Sequence, residues 1–271
     1  MAFFSYSATY GQVSLNGTAP RGVLDLGTST TQGFVFPRVD LSDSATATIT
    51  QPDGSAIVTG TIVYNTSSSG SGNNRVYPGL YVWTGSKWVT QTSRKDHVIR
   101  FQNSELRTGS DDGSYGAQTV SFNNNTFTPL YSGDYKVVVH VNYGGGEVDD
   151  PDTGSGQYVN FNKQEGTVEF TLNGTVHSYT VNSYSGKNYI PGASITNNTN
   201  RTYDNEINQM NFVFVESLTE STNYTFSLTM NQDDSNGFEA DGDESGGLDG
   251  RGYIALDDLL GCTVEFEYIG N

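Results

Sequence analysis

The sequence predicts an all-β chain, with small hairpin modules first and an antiparallel β-sandwich after them. Three observations carry this. Gly occurs 32 times in 271 residues, beside 17 Tyr and 14 Phe, a mixture of turn formers and strand formers. Residues 127–143 open on the turn Tyr131, Ser132, Gly133, Asp134 and then alternate. Tyr135, Val137, Val139, Val141 and Tyr143 fall on one face; Lys136, Val138, His140 and Asn142 fall on the other. The last segment, residues 262–269, repeats the pattern, with Val264, Phe266 and Tyr268 opposed to Thr263, Glu265 and Glu267. These two segments read as inner strands of one sandwich.

Residues 1–42 show little periodicity. Phe3, Phe4, Tyr6 and Tyr10 sit on a short leader, as residues that dock onto something else do. Two extended pieces follow, residues 22–27 and 30–38, the second ended by Pro37. Residues 43–60 are rich in Ser, Thr and Ala, with a turn at Gln51, Pro52, Asp53, Gly54. Residues 61–64 read as a strand and 67–74 as a flexible loop. Residues 78–89 form the clearest hairpin. Gly85 and Ser86 suit a type II′ turn, which sets Trp83 opposite Trp88 and Val82 opposite Val89. Trp83, Trp88 and Tyr81 fit either a sugar-stacking platform or the small core of this module.

Residues 93–96 read as a linker. Beyond them, ten strand candidates recur with turns between: 97–102, 118–123, 133–143, 157–162, 166–172, 176–183, 209–216, 223–231, 251–256 and 261–269. Asn173 and Gly174 mark a hairpin between two of them. Tyr224, Phe226, Leu228 and Met230 alternate cleanly. Residues 256–260 make at most one helical turn. The set suits an eight-stranded antiparallel sandwich with additions.

Composition removes several function classes. A net charge of −17 and a pI near 4.3 argue against nucleic acid, whose phosphates need clustered Lys and Arg. No apolar run approaches the ~18 residues a membrane span needs, and the first residues lack the pattern of a signal peptide. Cys262 is the single cysteine, so no internal disulfide forms; its apolar strand makes it a small buried hydrophobe. His97, His140 and His177 fall in no metal-binding spacing, and no nucleophile elbow or phosphate loop is present. Among the many carboxylates, nothing isolates a glycosidase pair, so no catalytic residue is assigned and the chain is expected not to be an enzyme.

The acidic stretch 233–249 is the one constellation with metal chemistry. Asp241, Asp243 and Ser245 alternate before Gly246, with Asp249 further on, as in the first half of a calcium loop. Gly252 stands where a bidentate Glu would close an EF-hand, so this is not one. Calcium is the cofactor these hard oxygens would suit; a solvated acidic loop is the alternative. Asp149, Asp150 and Asp152, with Asp233 and Asp234, mark loops at the sandwich end where a ligand would sit.

Two resemblances add to this. Residues 97–271 resemble the C1q/TNF-like trimeric jelly roll, through Phe127-Thr-Pro-Leu-Tyr-Ser-Gly-Asp-Tyr135, Gly144-Gly-Gly146, Phe212-Val-Phe214, Asn223-Tyr-Thr-Phe226 and Val264-Glu-Phe-Glu-Tyr-Ile-Gly270. The resemblance implies a homotrimer about a threefold axis, with Tyr135, Tyr143, Phe266 and Tyr268 near that axis or in the core. About the first 90 residues resemble modules of fibre and adhesion proteins of tailed bacteriophages, including the crAss-like group. The carrying motifs are Leu24-Asp-Leu26, Thr30-Thr-Gln-Gly-Phe-Val-Phe-Pro-Arg38, Gly60-Thr-Ile-Val-Tyr-Asn-Thr66 and Gly79-Leu-Tyr-Val-Trp-Thr-Gly-Ser-Lys-Trp-Val89.

Together they imply a fibre protein on the virion surface in three parts. Residues 1–42 would anchor it to a capsid or tail protein, residues 43–93 would form a stalk or collar, and residues 94–271 would present a jelly roll to a host-surface glycan. No nucleic-acid or membrane partner is expected. The rival readings are a bacterial surface adhesin or lectin, a polysaccharide-degrading spike, and a purely structural capsid decoration.

Overall fold

The computed structural model describes residues 13–14, 24–26, 28, 31, 33–108, 116–152, 158–188, 201–203, 207–233, 235, 237–238, 250–256 and 261–270. The described residues are nearly all strand and turn; the one helical element among them is a 3₁₀ turn at Gly72–Asn74. The chain divides into two compact units, residues 1–68 with 76–91, and residues 69–75 with 92–271.

In the first unit, β1 (Val13–Ser14) and β2 (Leu24–Asp25) pair in parallel. A four-stranded sheet follows, built in spatial order from β3 (Arg38–Val39), β4 (Ile62–Asn65), β5 (Gly79–Trp83) and β6 (Trp88–Thr90). The hairpin has the expected register, Trp83 opposite Trp88 and Val82 opposite Val89. Gly85 supplies the positive φ of +101° that its turn requires. Asn65 is buried and ties three strands of chain together. Its Oδ1 accepts from Leu41 N–H at 2.9 Å, and its Nδ2 donates to Ser67 O at 2.6 Å and Tyr77 O at 2.9 Å.

The second unit is a two-layered antiparallel sandwich. One layer runs from β7 (His97–Phe101) through β18 (Thr263–Gly270) and β11 (Gly133–Gly144) to β15 (Asn208–Leu218). Two short strands, β8 (Leu106–Arg107) and β17 (Tyr253–Ile254), extend it at the end where β11 finishes. The other layer places β9 (Gln118–Thr119) and β10 (Thr126–Phe127) beside β16 (Tyr224–Gln232). It continues through β12 (Val159–Leu172) and β13 (Thr175–Asn188) to β14 (Arg201–Tyr203). The chain crosses between the layers after β8, β10, β11, β14, β15 and β16, while β12, β13 and β14 follow one another within one layer.

The alternation read in the sequence decides which side of each strand faces in. Tyr135, Val137, Val139, Val141 and Tyr143 of β11 and Val264 and Phe266 of β18 are fully buried. They meet Val168, Phe170, Phe226, Leu228 and Met230 from the other layer in one core. Rings dominate it: Phe127 stacks on Phe266 with centroids 4.4 Å apart, and Tyr135 packs edge-on to Phe127 at 5.3 Å. Where β13 and β15 approach at one side, His177 stacks on Phe214 at 3.9 Å and Tyr179 on Phe212 at 4.1 Å. His177 also pairs with Glu216 at 2.8 Å.

Two strand expectations change. Residues 157–162 and 166–172 are halves of one continuous strand, β12. The polar run that separates them in the sequence keeps the alternation: Gln164 points inward, while Lys163 and Glu165 form an outward ion pair at 2.6 Å. Gln164 is accommodated inside because its Nε2 donates to Asp233 O at 2.6 Å and Glu165 O at 3.1 Å. The hairpin after it is longer than expected, β13 reaching Asn188.

Candidate functional site

The first surface to weigh is the tryptophan hairpin. Trp83, Trp88 and Tyr81 are buried and pack with Leu41, Ile57, Val63 and Val76. The Trp rings lie 5.2 Å apart at 56°, and the Trp88 indole N–H donates to Thr46 O at 3.0 Å. Both ring faces are used inside the module, so these residues form its core and not an exposed platform.

The second is the sandwich end where β11 finishes. Val148 bridges to Phe238, both buried, and Asp149 N–H donates to Gly237 O at 3.0 Å. Asn160 and Asn162 of β12 donate to Asp149 O and Gly237 O at 2.9 and 3.0 Å. Lys187 of β13 reaches back to Glu147 at 2.7 Å and Asp150 at 2.6 Å. Burial works against the Lys187 charge, but the hydrogen bonds to Asp150 and Glu147 outweigh it and hold its pKa well above the usual lysine range. Nearby, Gln232 gathers a further set of bonds. Its Oε1 accepts from Thr108 Oγ1 at 2.6 Å, Gly252 N–H at 2.8 Å and Tyr143 O–H at 3.2 Å, and its Nε2 donates to Gly250 O at 3.0 Å. Gly252 is required there, since a Cβ would fall 2.5 Å from both Gln232 Oε1 and Gly144 O.

Both flanks of the acidic stretch are therefore fastened to this end, at Gly237–Phe238 and at Gly250–Gly252. Asp241, Asp243, Ser245 and Asp249 themselves, with Asp234, lie outside the described residues. Asp149, Asp150 and Asp233 lie at the same end. Asp150 is committed to Lys187, while Asp233 contributes backbone, its N–H donating to Glu165 O at 3.0 Å and its carbonyl receiving Gln164. Asp152 is described, just past this pair. Among the described residues, no group of three or more His, Cys, Asp or Glu converges as metal ligands would.

The third surface is the outward side of the β7–β18–β11–β15 layer. Tyr135, Tyr143 and Phe266 point away from it into the core, and Tyr268 packs partly buried against that core, 5.3 Å from both Tyr131 and Tyr135. Tyr135 is anchored from below: its hydroxyl donates to the buried Asp96 at 2.7 Å, and Asp96 also receives Leu130 N–H at 2.8 Å. The outward side instead carries exposed Ile99 and Phe101 on β7, half-buried Val138 on β11 and exposed Val213 and Val215 on β15. Charged pairs lie between them. Lys136 contacts Glu267, and His97 meets Glu265 at 2.7 Å with His140 4.0 Å away on its far side. The alternation of β7 and β15 was readable, but which face would be left uncovered was not.

Residues 14–107 match the family model described as a phage tail like trimerisation region, about a third of the chain. The match supports a structural protein of the phage tail or fibre type. It runs from the first described strand through the hairpin module and ends on β7 and β8 of the sandwich. No curated protein matches the sequence. Among solved structures, the infectious bursal disease virus VP2 subviral particle is similar at a TM-score of 0.27 and 13% identity, over 68% of this chain and 43% of that one. The infectious bursal disease virus Gx strain structure is similar at a TM-score of 0.20 and 10% identity, over 90% of this chain and 64% of the other. The chain spans less than two thirds of either viral chain.

Proposed function

We propose that this protein is a non-enzymatic virion fibre component that assembles as a homotrimer and displays its jelly roll to a carbohydrate on a bacterial surface. The observation that carries the reading is the match of residues 14–107 to a trimerisation region of phage tail type, continuous with a sandwich that exposes apolar side chains among the charged pairs of one sheet face. Residues 1–42 attach to a capsid or tail protein of the same particle. The tryptophan module serves as stalk or collar, and the C1q/TNF-like sandwich is the part that is displayed. The crAss-like phages remain the source whose modules the N-terminal motifs resemble.

In this reading the copies meet across the outward side of the β7–β18–β11–β15 layer, where Ile99, Phe101, Val138, Val213 and Val215 await a cover. The core tyrosines are already covered within one protomer, so the oligomer contact belongs to these residues. Three displayed sandwiches per fibre, and several fibres per particle, turn weak single-site binding into firm attachment. The described flanks of the acidic stretch, at Gly237–Phe238 and Gly250–Gly252, are fastened to one end of the sandwich, and calcium is the ion its carboxylates would suit.

Adsorption measures this directly. Purified full-length protein added to the host bacterium is expected to occupy its surface polysaccharide and to slow adsorption of virus particles, with no new reducing ends released. Reducing ends would indicate a polysaccharide-degrading spike instead. Unchanged adsorption would indicate a structural decoration.

A further inference from the structure

On the outward side of the other layer, two aromatic side chains are exposed to solvent on strands β12 and β13. Phe161 of β12 is 65% exposed and Tyr184 of β13 is 43% exposed. The β12–β13 register sets Phe161 opposite Gly186 and Tyr184 opposite Lys163, so both rings rise from the same face of adjacent strands. Their centroids are 5.7 Å apart and their planes differ by only 7°. Gly186 makes this possible. A Cβ there would sit 3.2 Å from the Phe161 ring, so the ring leans over a bare stretch of backbone and keeps its other side open.

The surroundings say what such a pair would hold. Lys163 is neutralised by Glu165 at 2.6 Å, so the rim brings no unbalanced charge from that pair. Asn182 stands opposite Glu165, and beyond the pair the face continues with Thr167 opposite Thr180. With Val159 the exposed apolar patch is on the order of 300 Å². That is well below the ~800 Å² per partner of a stable protein interface. It matches a sugar ring, whose C–H face lies flat on aromatic rings while its hydroxyls reach hydrogen-bonding side chains at the rim.

We infer that Phe161 and Tyr184 form a stacking subsite for a neutral hexopyranose unit of a polysaccharide. This rests on the adhesion reading above and gives that reading a location, on the outer face of the β12–β13 hairpin beside the end where Asn160, Asn162 and Lys187 hold the neighbouring loops. The short Lys163–Glu165 pair supplies a donor and an acceptor beside the rings.

The test uses the full-length chain and a panel of neutral bacterial polysaccharides, with binding read by calorimetry and thermal melting as the folding control. Phe161→Ala and Tyr184→Ala are each expected to weaken binding about tenfold. Phe161→Tyr and Tyr184→Phe should stay within about threefold of the parent. All four should melt near the parent, because Phe161 is mostly exposed and Tyr184 nearly half exposed. Binding by the parent that the alanine variants retain would overturn this site and leave the adhesion reading standing. A parent that binds no member of the panel would overturn both. Binding to host cells that survives periodate oxidation of their sugars would point to a protein receptor and also contradict the site.

Discussion

At the scale of single residues, the interior is decided by whether each polar group finds a partner. Lys187 shows this best. It is largely covered, yet Glu147 and Asp150 both contact it. Because its folded pKa is raised, its stabilising contribution is fully present below the ordinary lysine range and is lost only as pH climbs through the raised value. Lys187→Met is therefore expected to cost about 1.5–3 kcal/mol at neutral pH, read from urea unfolding, with little dependence on pH on either side of neutrality. Cys262 is the opposite case, a thiol with burial pushing its pKa up to about 12. It stays protonated at neutral pH, so a thiol reagent should label it slowly in the native protein and fully in denaturant. Its place on an apolar strand made its burial legible. The role of Lys187 was not, because its partners lie on a loop some forty positions earlier that no local pattern connects to it.

At the scale of elements, periodicity carried most of the information. The alternation in residues 133–143 and 262–269 locates β11 and β18, and the hairpin register of the two tryptophans follows from Gly85 and Ser86 alone. The module they stabilise is small, so its core is sensitive. Trp88→Ala is expected to cost about 3–5 kcal/mol and to lower or abolish the melting transition of that unit. The β12–β13 hairpin depends on its turn, with Asn173 at φ 48° and Gly174 at φ 90°. Gly174 has open space around it, so Gly174→Val would act only through the backbone, at a cost of about 1–2 kcal/mol in denaturant unfolding. Lys163, Gln164 and Glu165 resemble a loop in composition, which is why the sequence suggests two strands where β12 is one. Their side chains nevertheless obey the alternation of the strand, a signal weaker than three consecutive polar residues suggest. The Phe161–Tyr184 pair was hidden for a related reason. Its members become neighbours only when the whole hairpin zips in one register.

At the scale of the whole molecule, the fold class and the two tight hairpins were readable and the long-range strand partners were not. β11 pairs with β18 across more than half of the sandwich sequence, and nothing local to either strand records that choice. The same holds for the uncovered face. Ile99, Phe101, Val213 and Val215 look like ordinary strand residues until the layers are assembled and one side of β7 and β15 is left without a cover. The account assigns that cover to two further copies. Val213→Glu combined with Val215→Glu should leave the sandwich folded, since both side chains are exposed within a protomer, and should separate the copies.

Sedimentation equilibrium on the full-length protein at micromolar concentration tests this most directly. The account predicts a single species at three times the 29.3 kDa chain mass, reduced toward one chain by the double glutamate variant. A folded species at 29.3 kDa across that concentration range would contradict it.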